Sequence, residues 1–425
     1  MPRKLGEVMW PRLIASKILR KTLGSNNFVA DFPSGLEDYS IELPSLDLES
    51  PNYNSNSIFS DHNKETNNYK LFTSTWNVGG VTPTDDLNME DLLQTPNHTP
   101  CDIYVFGFQE VVPLRAANIL GSEKSKICMK WNSLIRKSLN KNICSSRGGV
   151  NSTESSVRQG FRCLISKQMV GILISVWVRA DLHSFVRNPS VSCVGCGIMG
   201  CLGNKGAISV RFRLHETSFC FVCSHLASGG KLGDEKIRNS NVAEIFSRTS
   251  FPKGPSHDLA RKIIDHDRVI LLGDLNYRIS LPEHKIRVLV DKEEWNMLLE
   301  NDQLKKEIRE GQVFEGWHEG EINFAPTYKY NPNSDAYYGS SDHGKKGEKK
   351  RAPAWCDRIM WYGEGLKQHF YSRTESKLSD HRPVKAVFTS QVKVLQTVKG
   401  FRSFFLSERF DMIPNRLKIP LNHEF

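Results

Sequence analysis

Residues 268–276, RVILLGDLN, read as a strand too apolar to face water on either side, yet the run closes on Asp274 and Asn276. Short continuous apolar runs belong to strands covered on both faces, so the chain must sandwich its sheet between other layers. Seven further stretches share this texture: LFTSTWNV, DIYVFGFQE, GILISVWVR, AISVRFRL, SFCFVCSHL, WCDRIMWY and VKAVFTS. Helical stretches near 114–140, 234–248 and 283–310 lie between them, which predicts one α/β domain over about residues 69–390.

A 39% hydrophobic content over 425 residues fills a sizeable core and excludes disorder throughout. The formal charge of +10 points to an anionic partner: nucleic acid, an anionic membrane surface or a phosphorylated small molecule. The first thirty residues lack the apolar core of a secretory signal, and MVGILISVWV at 169–178 is too short to span a bilayer. Ten scattered cysteines fit reduced thiols. Together these features predict a cytoplasmic protein, with peripheral contact to membranes as the extension of that reading.

Outside the domain, residues 1–23 form a short basic segment with Trp10, Leu13, Ile14 and Ile18 at helical spacing. It suits a membrane-surface helix or a helix docked on its own domain. Residues 24–68 turn acidic and rich in Ser, Asn and Pro, the composition of a linker. Polar loops are expected at 144–160 and 334–350, and residues 391–425 form an extension carrying Phe401, Phe404, Phe405 and Phe410.

Polar groups stand at the strand ends as they do at 274. Asn77 closes STWNVGG, Glu110 closes FGFQE, His225 closes FVCSH, and Asp380 and His381 precede the last strand. Ligands of α/β sheets gather where strand ends meet, so these termini predict one shared pocket. Singly, each is better explained by a buried ion pair or a satisfied core histidine; jointly they suit metal-assisted attack on a phosphate. Glu110 offers a hard oxygen to Mg²⁺, Asp274 can take a proton from water and Asn276 can hold that water. His225 and His381 can donate to phosphoryl oxygens as charge builds. A second cluster, FAPTYKY with KKRAPAWCDRIMW, puts Lys329, Lys349 and Arg351 near Tyr328, enough cations to grip a further phosphate. Asp357 is placed to orient a histidine.

Two motifs mislead. GCGIMG at 195–200 satisfies the dinucleotide pattern G-x-G-x-x-G but leads into a strand, so no helix N-terminus receives a pyrophosphate. Cys220 and Cys223 mimic zinc spacing, yet residues three apart on a strand face opposite ways.

GDLNYRI followed by PAWCDRI resembles the paired signatures of the inositol polyphosphate 5-phosphatases, and TWNVGG, FGFQE, GNKGAISVRF, SHLASG, APTYKY and SDHRPV keep that family's order. The N-terminal MWPRLIASKILRKTL is similar to the plant subgroup. The resemblance implies a DNase I-like α/β fold, a four-layer sandwich of two packed mixed β-sheets flanked by helices, and Mg²⁺-dependent removal of the 5-phosphate from inositol rings. It implies Glu110 and Asn77 at the metal and Asp274 with Asn276 at the water. By the same likeness His225 binds phosphate, and His381 is the catalytic histidine paired with Asp357, with Asp380 beside it. Tyr328, Lys329, Lys349 and Arg351 would grip the 4-phosphate, with Asn204 and Lys205 of GNKGAISVRF also on the substrate. The implied partners are phosphoinositide lipids or soluble inositol polyphosphates, with no nucleic acid. Leu271, Met360 and Asn241 stand where the family more often has Trp, Leu and Asp. Two rival readings stand beside it: a metal-dependent endonuclease of the same superfamily, which the metal and histidine set also fits, and a non-catalytic phosphoinositide-binding scaffold that uses the basic N-terminal segment.

Overall fold

Among the described residues the eight apolar runs all form strands, and with four further strands they pair into two mixed sheets of six. The computed structural model describes residues 28–31, 64–96, 100–113, 124–141, 160–197, 202–253, 259–339 and 351–395. The basic segment 1–23, most of the acidic stretch and of both polar loops, Lys349 and the chain beyond 395 lie outside the described residues.

The first sheet holds β1 (Lys64–Asn77), β2 (Ile103–Gln109), β3 (Phe161–Met169), β4 (Ile172–Arg179), β11 (Leu366–Arg373) and β12 (Val384–Leu395), in the order β11-β12-β1-β2-β4-β3. The second holds β5 (Val186–Gly195), β6 (Gly206–Leu214), β7 (Thr217–His225), β8 (Arg268–Asp274), β9 (His318–Glu319) and β10 (Asp357–Tyr362), in the order β5-β6-β7-β8-β10-β9. β1 pairs with β12 from Lys64 opposite Leu395 onward, so residues 64–68 and 391–395, expected as linker and extension, are strand.

The inner faces of the sheets meet in a core of Ile103, Val105, Ile174, Val176, Ile208, Phe221, Cys223, Ile270 and Leu272. Each fully buried aliphatic or aromatic side chain there contributes about 1.5–3 kcal/mol. On the outer face of the first sheet, α1 (Lys124–Leu139) lays Trp131 and Ile135 against Trp76, Phe108 and Trp177. On the outer face of the second, α2 (Asp234–Arg248) packs Val242 and Ile245 against Cys220, Val222 and Leu271. Cys220 and Cys223 thus face opposite sides of one strand, as the pleat requires. The layers are helix, sheet, sheet and helix, and no described helix is long and apolar enough to cross a membrane.

The stretch 283–310 breaks into α3 (Glu283–Asp291), α4 (Trp295–Leu299) and α5 (Gln303–Arg309). Glu293 takes a left-handed φ of 55° after α3, and Asp302 leaves the helical region to cap α5 by accepting Lys305 N at 3.0 Å. Asp302 also meets Arg358 of β10, whose guanidinium reaches both Asp302 (3.0 Å) and Glu319 of β9 (2.6 Å) with no exposure of its own. Removing one partner leaves buried charge uncompensated. Arg358→Ala is therefore expected to lower stability by about 3–5 kcal/mol, read as a lower midpoint in denaturant unfolding.

Candidate active site

Among the described residues only two neighbouring strand pairs are parallel, β1 with β2 and β7 with β8, one in each sheet. Parallel strands end on the same side, so Asn77 and Gln109 finish side by side, as do His225 and Asp274. Antiparallel β10 begins at this edge with Asp357 opposite Asp274, and β12 begins beside the end of β1, bringing Asp380 and His381 with it. The topology therefore gathers the polar termini that the sequence scatters over three hundred residues.

Asp274 is the hub. Its Oδ2 accepts Asn77 Nδ2 at 3.0 Å and lies 3.2 Å from His225 Nε2, while Oδ1 accepts Asn276 N at 3.1 Å. Burial works to raise the Asp274 carboxyl, but the His225 hydrogen bond and the nearby His225, His381 and Lys205 charges outweigh it and hold the group well below the usual carboxylate range. Glu110 follows β2 with a left-handed φ of 54°, which turns its side chain inward; Oε1 lies 3.5 Å from Asn77 Nδ2 and 3.8 Å from His225 Nε2. Asn77, expected at the metal beside Glu110, turns its amide nitrogen to both carboxylates while its Oδ1 accepts Gly79 N at 3.0 Å. Its contact with the centre is thus through Nδ2. Lys205 meets His225 Nε2, and burial together with this lysine keeps the imidazole of His225 below its ordinary pKa.

On the other wall, His381 Nδ1 and Asp357 Oδ2 are 2.8 Å apart, and Thr327 Oγ1 donates to the same oxygen at 2.7 Å. Burial would lower His381, but the Asp357 charge and hydrogen bond dominate, with Asp274 and Asp380 adding to them, and the imidazole is pushed up to about 9. Asp274, Asp357 and His381 offer ligand atoms all within 4.8 Å of one another. Asp357 is wholly buried and its Oδ1 has no hydrogen-bond partner among the described residues. Ser379 ties this wall to β1, its Oγ donating to Asn77 O at 2.7 Å and receiving His381 N at 3.2 Å.

A cavity of about 320 Å³ opens above these groups, lined among others by Glu110, Lys329, Tyr338, Ser379 and Asp380. Lys329 Nζ bonds Asp380 Oδ2 at 2.9 Å and lies 5.3 Å from the Tyr338 ring centroid. Burial pushes the Tyr328 phenol up to about 12 against the nearby Arg278 and Arg351 charges, and its ring sits 4.6 Å from that of His381. Asn204 stands just before Lys205, and its buried Oδ1 has no hydrogen-bond partner among the described residues. A larger polar cavity of about 590 Å³ around Arg211 and His266 lies at the opposite end of β7 and β8.

Thus Asn77, Glu110, His225, Asp274, Asn276, Asp357, Asp380 and His381 converge on one edge, with Lys205, Tyr328 and Lys329 beside them. Thr327, Ser379 and Tyr338 were not singled out from sequence, although APTYKY and SDHRPV contain the first two. Asn241 accepts Ala227 N at 3.1 Å through its oxygen, which an aspartate would do equally, so this departure leaves the loop after β7 anchored.

Two packed mixed sheets with acid, amide and imidazole groups at one shared edge define a phosphoesterase of the endonuclease/exonuclease/phosphatase class. The model of the Endonuclease/Exonuclease/phosphatase family 2 matches residues 74–387. Type IV inositol polyphosphate 5-phosphatase 9 of Arabidopsis thaliana is 64% identical over 411 residues, covering 95% of this chain and 96% of its own length. Type I inositol polyphosphate 5-phosphatase 8 of the same plant is 43% identical, covering 90% and 86%. Among solved structures, the inositol polyphosphate 5-phosphatase domain of SPsynaptojanin, in complex with inositol (1,4)-bisphosphate and calcium ion, superposes with a TM-score of 0.65 at 31% identity, covering 82% of this chain and 93% of that one. The chain belongs to the inositol polyphosphate 5-phosphatase family.

Proposed function

We propose that the chain hydrolyses the 5-phosphate of phosphoinositides, among them phosphatidylinositol 4,5-bisphosphate and 3,4,5-trisphosphate, and of soluble inositol polyphosphates. The observation that carries this reading is the convergence of Asn77, Glu110, His225 and Asp274 from two sheets onto one point. The related SPsynaptojanin domain supports the substrate class, since the inositol (1,4)-bisphosphate in its complex is a ring without a 5-phosphate. We place the activity in the cytoplasm and, for lipid substrates, at an anionic membrane surface.

The donor set fits a hard divalent cation: Glu110, partly exposed at the cavity wall, and Asp274 bring two carboxylates to the same amide hydrogens. Glu110 would hold Mg²⁺, with Asn77 fixing the carboxylate orientation. When bound, the ion supplies charge to the phosphoryl group and to the departing alkoxide.

The remaining steps belong to side chains. Asp274 stays ionised at neutral pH, orients the attacking water and takes its proton as the water oxygen bonds to phosphorus and the bond from phosphorus to the ring 5-oxygen breaks; the proton then passes through solvent to that departing oxygen. A group with so low a pKa is a weak base, but a loose phosphoryl-transfer transition state asks mainly for positioning and charge stabilisation. Asn276 holds the water beside it. The His381 imidazolium, kept charged by Asp357, donates to a phosphoryl oxygen as charge builds. Lys205 and His225 face the same phosphate, while Lys329, Tyr328 and Arg351 grip the neighbouring 4-phosphate, which distinguishes a ring polyphosphate from a nucleic-acid diester.

Lys329→Ala is expected to raise KM about 10-fold for substrates bearing a 4-phosphate and to leave one without it nearly unaffected. An equal effect on both would remove the grip. For the activity itself, phosphate release is measured over a panel differing only in ring position, with and without Mg²⁺; plasmid nicking without phosphate release would favour the nuclease reading.

A further inference from the structure

Arg278, four residues beyond Asp274, is assigned to neither wall of the site, and it touches both. It makes no ion pair with a carboxylate among the described residues. One arm of its guanidinium, Nη2, donates to Asn276 Oδ1 at 2.8 Å. The other, Nη1, meets Cys356 Sγ, one residue before Asp357. Its plane lies over Tyr328, with Cζ 4.7 Å from the ring centroid. Its backbone is pinned as well, since Arg278 N donates to Gln303 Oε1 at 2.8 Å and Gln303 N returns the bond to Arg278 O at 2.9 Å.

These contacts settle which way the Asn276 amide points. Its Nδ2 donates to Leu226 O at 3.1 Å, and a carbonyl can only accept. Its Oδ1 faces Arg278, and a guanidinium can only donate. The amide therefore cannot flip without setting donor against donor and acceptor against acceptor. Asn276 also carries a left-handed φ of 58°, so its backbone stands where only a few residue types settle readily.

We infer that Arg278 is a positioning residue for the water-activating side of the site: its planar fork fixes the Asn276 amide with one arm and the Cys356–Asp357 segment with the other. A lysine retains the charge but presents no fork, so charge alone cannot replace it. The inference rests on the phosphatase reading given above, and wild-type turnover measured in parallel separates the two. If the wild type releases no 5-phosphate, that reading fails; if it does, the variants judge Arg278.

The experiment is a double-mutant cycle of Arg278→Lys and Asn276→Ala, with kcat and KM measured on inositol (1,4,5)-trisphosphate and melting temperature recorded for each variant. Arg278→Lys should lower kcat about 10- to 100-fold, with KM within about twofold of wild type. In the Asn276→Ala background the same change should cost clearly less kcat than in the wild type, because one of the two groups it positions is gone and only the Cys356–Asp357 contact remains to be lost. Arg278→Gln, which still donates to Asn276 Oδ1 through its amide, gives a second route if the lysine variant does not fold; it should retain more kcat than Arg278→Ala. A rise in KM with kcat preserved would make Arg278 a direct phosphate contact and overturn the assignment. So would full additivity of Arg278→Lys with Asn276→Ala, or wild-type kcat in the lysine variant.

Discussion

Asp274→Ala is expected to lower kcat for 5-phosphate release by about 10³- to 10⁴-fold while the protein remains folded. The carboxylate is the acceptor at which Asn77, His225 and the backbone of Asn276 meet, so its loss removes the group that orients water and receives its proton. The effect should fall on kcat, because in the proposed mechanism Lys329, Tyr328 and Arg351 hold the substrate without it. Burst-free steady-state kinetics with a melting curve checks this; near-normal turnover in a folded variant would remove Asp274 from the chemistry.

Asp357→Asn should cost about 10²- to 10⁴-fold in kcat and also reshape the pH profile. Asp357 is the main influence raising His381, whose imidazole is pushed up to about 9 and so carries charge at neutral pH. In the proposed mechanism the charged form is the one that donates to the phosphate. Wild-type activity from this group is therefore present below that pKa and is lost as pH rises through about 9. Asparagine keeps the size but removes the charge, so the alkaline limb should move toward neutral pH. A kcat–pH series on both proteins decides the point: an unmoved limb would separate Asp357 from the protonation of His381.

Much of this arrangement is legible in the chain because its strands are covered on both faces. β2, β4, β7 and β8 read as unbroken apolar runs since sheet packs on one side and helix on the other. β3, β5 and β11 escaped because their outer positions meet water. FRCLISKQM, VRNPSVSCVG and LKQHFYSR interleave charges, amides and a proline at exposed or partly buried positions, a pattern that loops share. All three are edge strands, where such residues guard against further pairing. The single helical stretch at 283–310 hid its breaks because they depend on one residue with positive φ and one side-chain cap.

For the site, residue type and strand-end placement were enough to select the acid, amide and imidazole groups. Partners that act through them were not visible in the same way. Thr327 and Ser379 are ordinary hydroxyls whose importance comes from a contact with Asp357 and from a bridge between Asn77 and His381. The direction of the Asn77 amide depends on Gly79 N, two residues on, and spacing alone does not reveal it.

The account turns on one metal-dependent centre that acts on one ring position. Inositol (1,4,5)-trisphosphate, incubated with the protein in Mg²⁺ and separately with chelator in excess, tests it most directly, with the products assigned by position. The account predicts inositol (1,4)-bisphosphate and inorganic phosphate in the first vessel and unchanged substrate in the second. Release from the 1- or 4-position, or an equal rate with the metal removed, would contradict it.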